Sequence, residues 1–278
     1  MQNKKTVSIL GCGWYGLKLA TELISNGFSV KGSTTTTDKL QQLADWQIAP
    51  YLVSFSADNE TYDAAFFDCD ALFISIPPKV RTGNAEDYVK RMSRIINAVK
   101  SNKVKQVIFI SSTGVYGDLN TTVSEATQPT PDTESGKALL KAEEILKQET
   151  GFTTTIIRFA GLIGPGRDPG RFFAGKTNIP NGKAPVNLIH LTDCTGISLA
   201  VVKQKAFGYT FNAASPSHPE KADFYVKAAQ QSALPVPGFI DELNNWKIVS
   251  SGNVETILNY HYEVNNLMDW VNTATPLP

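Results

Sequence analysis

Gly11-Cys12-Gly13-Trp14-Tyr15-Gly16 stands directly after a β-rich run, Thr6 to Leu10, and directly before a segment with apolar residues at Leu17, Leu19, Ala20, Leu23 and Ile24. This feature restricts the fold more than any other in the chain. The first glycine permits a tight turn, the second lets a pyrophosphate approach the main chain, and the third lets helix and strand pack closely. The uncovered N–H groups and the positive end of the helix dipole then face the phosphates. Glycines are common in turns, so the pattern alone says little. The strand before it and the helix after it give it weight as a dinucleotide site, against the alternative of a purely structural turn.

The rest of the chain extends that βα unit. Helical spacing runs from Trp14 to Asn26 and stops at Gly27, as a C-terminal glycine should. Strands are predicted over 28–32, 48–55, 71–76, 106–110 and 153–158, and helices over 38–46, 85–100 and 135–149. Pro77-Pro78 ends the fourth strand. Six strands, four of them nearly all apolar, alternate with helices and predict an α/β fold, a doubly wound parallel Rossmann sheet with helices on both faces. After Arg158 the rhythm changes. A Gly-, Pro- and Arg-rich loop with a short helix covers 161–185, followed by a strand over 186–191, a helix over 192–203, a strand over 209–212 and a helix over 219–233. The last forty residues read as a small mixed α/β lobe. The expected division is a dinucleotide-binding domain of residues 1–160 with about 192–215, and a substrate lobe of about 161–191 and 216–278.

Composition removes other classes. Lys plus Arg is 26 and Asp plus Glu is 26, so no whole-chain basic field exists to attract nucleic acid. Cys12, Cys69 and Cys194 form no CxxC, so neither a disulfide framework nor a metal cluster is expected. Asn3-Lys4-Lys5 followed by Val7 to Leu10 superficially resembles a secretory leader, but Gly11, Gly13, Gly16 and Lys18 interrupt the apolar run. No stretch approaches a membrane span. The expectation is a cytoplasmic protein with a small-molecule substrate and no nucleic-acid or membrane partner.

The end of the second strand bears on cofactor choice. An acid there would hold the ribose 2′-hydroxyl of NAD. The sequence instead reads Lys31-Gly32-Ser33-Thr34-Thr35-Thr36, with no carboxylate before Asp38. Hydroxyls and Lys31 or Lys39 would accept a 2′-phosphate, so NADP is preferred over NAD. The alternative is that the threonines only cap the next helix.

Further along, Ile110-Ser111-Ser112-Thr113-Gly114-Val115-Tyr116-Gly117 resembles the SS-x-x-VYG segment of extended short-chain dehydrogenases/reductases, the superfamily of NAD-dependent epimerases and dehydratases. Val123-Ser124-Glu125 with Pro129, Arg158 through Gly164-Pro165-Gly166-Arg167, Asn187-Leu188-Ile189-His190-Leu191-Thr192-Asp193 and Tyr209 to Asn212 resemble its later segments in order. The aromatic Trp14 and the run Pro169 to Lys176 resemble an atypical YeeZ-like bacterial branch. The resemblance implies a cofactor set of Gly11, Cys12, Gly13, Trp14, Tyr15, Gly16, Ser33, Thr34, Thr35, Ile76, Pro77 and Ser111. It also implies a possible homodimer through helices 85–100 and 135–149.

One departure matters. The superfamily's acid/base Tyr and its Lys form a Y-x-x-x-K on the helix after the fifth strand. Anchored on Glu143, this chain has Ser135 where Tyr belongs and Leu139 where Lys belongs, and no Tyr lies between Tyr116 and Tyr209. A serine hydroxyl, with a pKa far above the phenol's ~10, is a poor proton carrier near pH 7 without an activating base. Ser112 keeps the Ser/Thr place that bonds the substrate oxygen. The candidate catalytic residues are therefore Ser112, Tyr116 and Ser135.

Each remaining candidate has a structural alternative. Lys137 and Lys141 could reach the ribose or be solvated. Tyr116 could replace the missing phenol or pack the turn. Arg158, Arg167 and Arg171 could clamp a substrate carboxylate or phosphate, or form loop salt bridges. His190 and Asp193 could be reactive or tie the small lobe in place. Cys12 at a helix N-terminus could be a reactive thiol or a small filler. Three functions compete: an NAD(P)-dependent oxidoreductase or epimerase with a rebuilt proton relay, a catalytically inactive NADP(H)-binding sensor, and a nucleotide-sugar-binding module.

Overall fold

The computed structural model describes residues 4–78 and 85–273. Asn3, part of the leader-like start, lies outside them. Seven strands form one sheet: β1 (Thr6–Leu10), β2 (Ser29–Thr34), β3 (Ala49–Leu52), β4 (Ala71–Ile74), β5 (Gln106–Ser112), β6 (Thr153–Phe159) and β7 (Thr210–Ala213), in the order β7-β6-β5-β4-β1-β2-β3. The pairings β1–β2, β1–β4, β2–β3 and β4–β5 are parallel. This is the doubly wound order, with its switch point at β1, where a ligand crevice is expected. β4 is buried along its whole length, and β1 is buried from Val7 to Leu10. That burial is why these strands read as unbroken apolar runs.

The helices are α1 (Trp14–Ser25), α2 (Asp38–Asp45), α3 (Ala85–Ser101), α4 (Glu134–Lys147), α5 (Leu191–Gln204), α6 (Lys221–Gln231), α7 (Gly252–Thr256) and α8 (Leu267–Thr273). The α3 core face carries Tyr88, Met92, Ile95, Ile96 and Val99 at helical spacing. Among the described residues, no helix is long and apolar enough to cross a membrane.

The predicted 48–55 strand is two pieces. The chain leaves the sheet edge after Leu52, and Ser54–Phe55 pairs antiparallel with Glu60–Thr61 around a turn held by the Ser56 hydroxyl. Two parallel pairs, Gly161–Ile163 with Leu188–His190 and Thr121–Val123 with Lys247–Val249, are three residues per strand. Such strands are too short to show a period in sequence.

Two compact units result. The first comprises residues 1–115, 131–158 and 198–210, and the second 116–130, 159–197 and 211–278. The expected boundaries placed 116–130, 159–160, 192–197 and 211–215 with the dinucleotide-binding domain, whereas they fall in the second unit. Within it the Asn212 main-chain N–H donates to Glu125 at 3.0 Å, and the Lys247 amine donates to the Tyr116 carbonyl at 2.8 Å and to Asp118 at 2.7 Å. The second unit's core joins Ile163, Leu188, Phe224, Leu267 and Val271.

Candidate functional site

The turn from β1 into α1 carries the clearest site. Gly11 adopts φ +106°, and a Cβ there would stand 2.7 Å from the Ser75 carbonyl oxygen. A Cβ on Gly16 would overlap the Gly11 carbonyl oxygen. The protein's own packing therefore demands glycine at both positions. Gly13 is different: apart from its own chain neighbours, no heavy atom lies within 4 Å of where its Cβ would be. Its φ of −84°, with an extended ψ of −155°, does not lie in the left-handed region that favours glycine. Gly13 is exposed, and the open space over it is where a diphosphate approaching the main chain would lie, the candidate cradle. Gly13 is also the N-cap of α1, where no side chain caps the helix and no acid stands in the first turn. The positive end of α1 thus faces the cradle.

β2 holds this loop. The Gly11 N–H donates to the Ser33 hydroxyl at 2.8 Å, and the Cys12 N–H donates to the Ser33 carbonyl at 3.1 Å. Ser33 is 3% exposed, so its side chain braces the loop from behind. The Cys12 sulfur packs on Gly32, where a Cβ would come within 2.7 Å of it. Burial pushes the Cys12 thiol up to about 12, which corrects the idea of a reactive thiol. The Tyr15 side chain is buried and shares a 2.6 Å hydrogen bond with the Ser198 hydroxyl. Trp14 is half-buried beside the loop.

At the end of β2, Thr34 is half-buried and Thr35 and Thr36 are exposed. The Thr34 hydroxyl accepts from the Thr36 N–H at 3.2 Å. The Lys31 amine donates to the Ala65 carbonyl at 2.7 Å and the Asp68 carbonyl at 2.5 Å. Lys31 is therefore withdrawn from the cofactor-choice position, and exposed Lys39 is the cation left to that segment.

The catalytic candidates fare unequally. Ser112, at the end of β5, is half-buried and accepts from the Gly114 N–H at 3.1 Å. Its own proton remains available to an outside acceptor. Ser135 is exposed in the first turn of α4, beside the N-cap Thr133, whose hydroxyl accepts from the Gly136 N–H at 3.1 Å. Leu139 is 6% exposed, so the place expected for lysine belongs to the core. Lys137 and Lys141 pair with Glu134 and Glu144 on the exposed face of α4; they are solvated lysines.

Tyr116 is 1% exposed, and its hydroxyl lies 2.8 Å from the Ser124 carbonyl and 3.0 Å from the Asn212 amide oxygen. It is a packing tyrosine, which corrects its candidacy as a replacement acid. Arg158 is also corrected. It is 3% exposed and binds Glu143, itself 1% exposed, by a fork of Nε–Oε1 3.0 Å and Nη2–Oε2 2.5 Å. The Ser111 hydroxyl donates to the same carboxylate at 2.6 Å, so Ser111 offers a cofactor main chain at most. This Ser111–Glu143–Arg158 core was missed by sequence reasoning, which used Glu143 only as an alignment anchor.

In the second unit, Arg167 and Arg171 are exposed, and Arg171 stands 3.7 Å from Asp168. His190 accepts from the Thr192 N–H at 3.3 Å and lies 5.3 Å, ring to ring, from Trp270, and burial lowers its pKa. Asp193 is fully buried and accepts from the Tyr260 hydroxyl and the Glu263 and Val264 N–H groups at 3.0, 2.8 and 3.1 Å. Both residues tie their segments in place. Among the described residues, no group of three or more His, Cys, Asp or Glu could hold a metal ion.

These features define a class before any particular relative. The profile of the NAD(P)H-binding family matches residues 11–187, and the chain belongs to that family. It is 36% identical over 265 residues to Protein YeeZ of Escherichia coli strain K12, covering 93% of this chain and 96% of that protein. In fold it is similar to a conserved protein of unknown function from Silicibacter pomeroyi, at TM-score 0.78 and 21% identity, with 97% of each chain covered. It is also similar in fold to MoeE5 solved with UDP-glucose and NAD, at TM-score 0.77 and 16% identity over 97% of this chain and 96% of that one.

Proposed function

We propose that the protein is an NAD(P)-dependent oxidoreductase or epimerase that acts on a small carbonyl or sugar-like substrate without the Tyr/Lys pair. The observation that carries this reading is the open cradle at Gly13 on the uncapped N-terminus of α1. A glycine that the fold does not need is explained by a ligand that does need it. The bound nicotinamide supplies or accepts a hydride. Main-chain N–H groups of the loop hold the diphosphate, and Ser112 donates its hydroxyl proton in a hydrogen bond to a substrate oxygen. Ser135 cannot carry a proton near pH 7 unaided. Reduction of an already polarised carbonyl, with the alcohol proton taken from water, fits these residues better than abstraction from an alcohol.

NADP is the preferred coenzyme in this reading. No carboxylate stands between β2 and Asp38 to repel a 2′-phosphate, and Thr35, Thr36 and Lys39 are exposed there. A homodimer through α3 and α4 would join polar faces, since Lys90, Ser93, Asn97, Lys137 and Lys141 are exposed.

The test is NADPH oxidation across a panel of aldehydes, ketones and keto-sugars. Turnover that falls about 100-fold in Ser112→Ala, the scale for losing one oxyanion donor, supports the reading. A second reading has its own observation: Tyr116, Lys137 and Lys141 are each engaged by the protein itself. It is a sensor that binds NADP(H) without turnover. Tight binding, silence across the panel and a partner whose capture depends on coenzyme redox state would favour it.

A further inference from the structure

Past β4 the chain runs through Ser75, Ile76, Pro77 and Pro78, and the glycine loop leans on this segment. The Ser75 N–H donates to the Leu10 carbonyl at 2.9 Å. The missing Cβ of Gly11 would lie 2.7 Å from the Ser75 carbonyl oxygen and 3.7 Å from Ile76 Cγ1. The two prolines have no N–H with which to hold the segment to a neighbour.

The first turns of α3 supply that anchorage. The Tyr88 hydroxyl donates to the Ile76 carbonyl at 2.9 Å, and Arg91 Nη2 donates to the Pro77 carbonyl at 3.2 Å. The two side chains are three residues apart and so share a helix face, with the guanidinium carbon 5.0 Å from the Tyr88 ring centre. Tyr88 is 3% exposed, and burial drives its phenol above the ordinary range, so it remains a donor at neutral pH.

We infer, resting on the NAD(P) reading above, that Tyr88 and Arg91 are positioning residues of the dinucleotide site. They turn the Ile76 and Pro77 carbonyls onto α3 and fix the Ser75–Pro77 wall against Gly11. Carbonyl oxygens free to swing toward the cradle would oppose a diphosphate, and both are captured. Ser33 holds the loop from the β2 side and α3 holds it from the β4 side, so the cradle is set from two directions. Pre-organisation of this kind lowers the cost of binding.

The experiment titrates the full chain with NADPH and with ADP-ribose, which lacks the nicotinamide, and records the thermal midpoint of each variant. Tyr88→Phe and Arg91→Met are expected to raise the Kd of both ligands by a matched factor of roughly three to ten, the loss of one modest hydrogen bond. Arg91→Lys, which keeps the charge and a donor, should recover part of the loss. Should Tyr88→Phe fail to fold, the Arg91→Met and Arg91→Lys pair decides. A lowered midpoint with unchanged Kd for both ligands would overturn the inference, because a merely structural role predicts that pattern. Wild-type protein that takes up neither ligand would bring down the NAD(P) reading itself. Wild-type binding with unaffected variants brings down only the positioning role.

Discussion

In the short-chain dehydrogenase/reductase pattern that this sequence resembles, the β1–α1 turn and the β5–α4 region are two halves of one chemistry, and only the first pattern is complete here. The turn holds a diphosphate with main chain, so it needs glycines and a helix end rather than reactive side chains. All three glycines are present, and the one the fold does not require stands over empty space. The β5–α4 region needs a phenol and an amine at fixed places and has an exposed serine and a buried leucine instead. Its polar residues have turned inward: Ser111, Glu143 and Arg158 form a core network. A coenzyme cradle built from backbone survives changes of side chain that remove a proton relay.

That contrast can be broken most strongly at Glu143. Removing the carboxylate breaks a buried ion pair, and Glu143→Ala is expected to cost about 3–5 kcal/mol of stability. A urea transition within about 1 kcal/mol of wild type would mean that Arg158 is not held in the core. Leu139→Lys comes next. If α4 is closed at this position, a lysine there is buried without a partner and costs about 2 kcal/mol or more. An undisturbed unfolding curve would show instead that this side of α4 opens on a cleft and that the missing pair could be rebuilt.

The smallest effect is chemical. With Cys12 pushed up to about 12 and Cys69 and Cys194 also raised by burial, all three are neutral thiols at pH 8. Thiolate is the reactive form, so at pH 8 iodoacetamide should label Cys12 more slowly in the native protein than in the unfolded chain. Thiolate reactivity should rise with pH toward 12, and fast labelling of Cys12 at pH 8 would overturn the packed-sulfur account.

The sheet was legible because β1, β4 and β5 are largely apolar runs and most strands are followed by helical spacing. The glycine loop was legible because its three glycines, the strand before it and the helix after it are consecutive in the chain. Much of the rest depends on pairs distant in sequence. Nothing near Lys31 announces the Ala65 and Asp68 carbonyls that take its amine. Nothing near Arg158 announces Glu143, although a glutamate between Ala142 and Leu146 on a core-facing side is a signal that could have been followed. Residues 116–130 have no period that would assign them to either unit. The Glu125 carboxylate and the Tyr116 carbonyl, bonded to Asn212 and Lys247, show where they belong.

The central claim is that a nicotinamide coenzyme rests its diphosphate in the space above Gly13. The most direct measurement is a pair of NADPH titrations, on wild type and on Gly13→Val, with urea unfolding of both. Saturable uptake by wild type, at least about 100-fold weaker in the variant, with the variant's unfolding free energy lower by no more than the roughly 0.5–2 kcal/mol of an N-cap change, is the result expected. Wild type that takes up neither NADPH nor NADH, or a variant that binds as well as wild type, would contradict it.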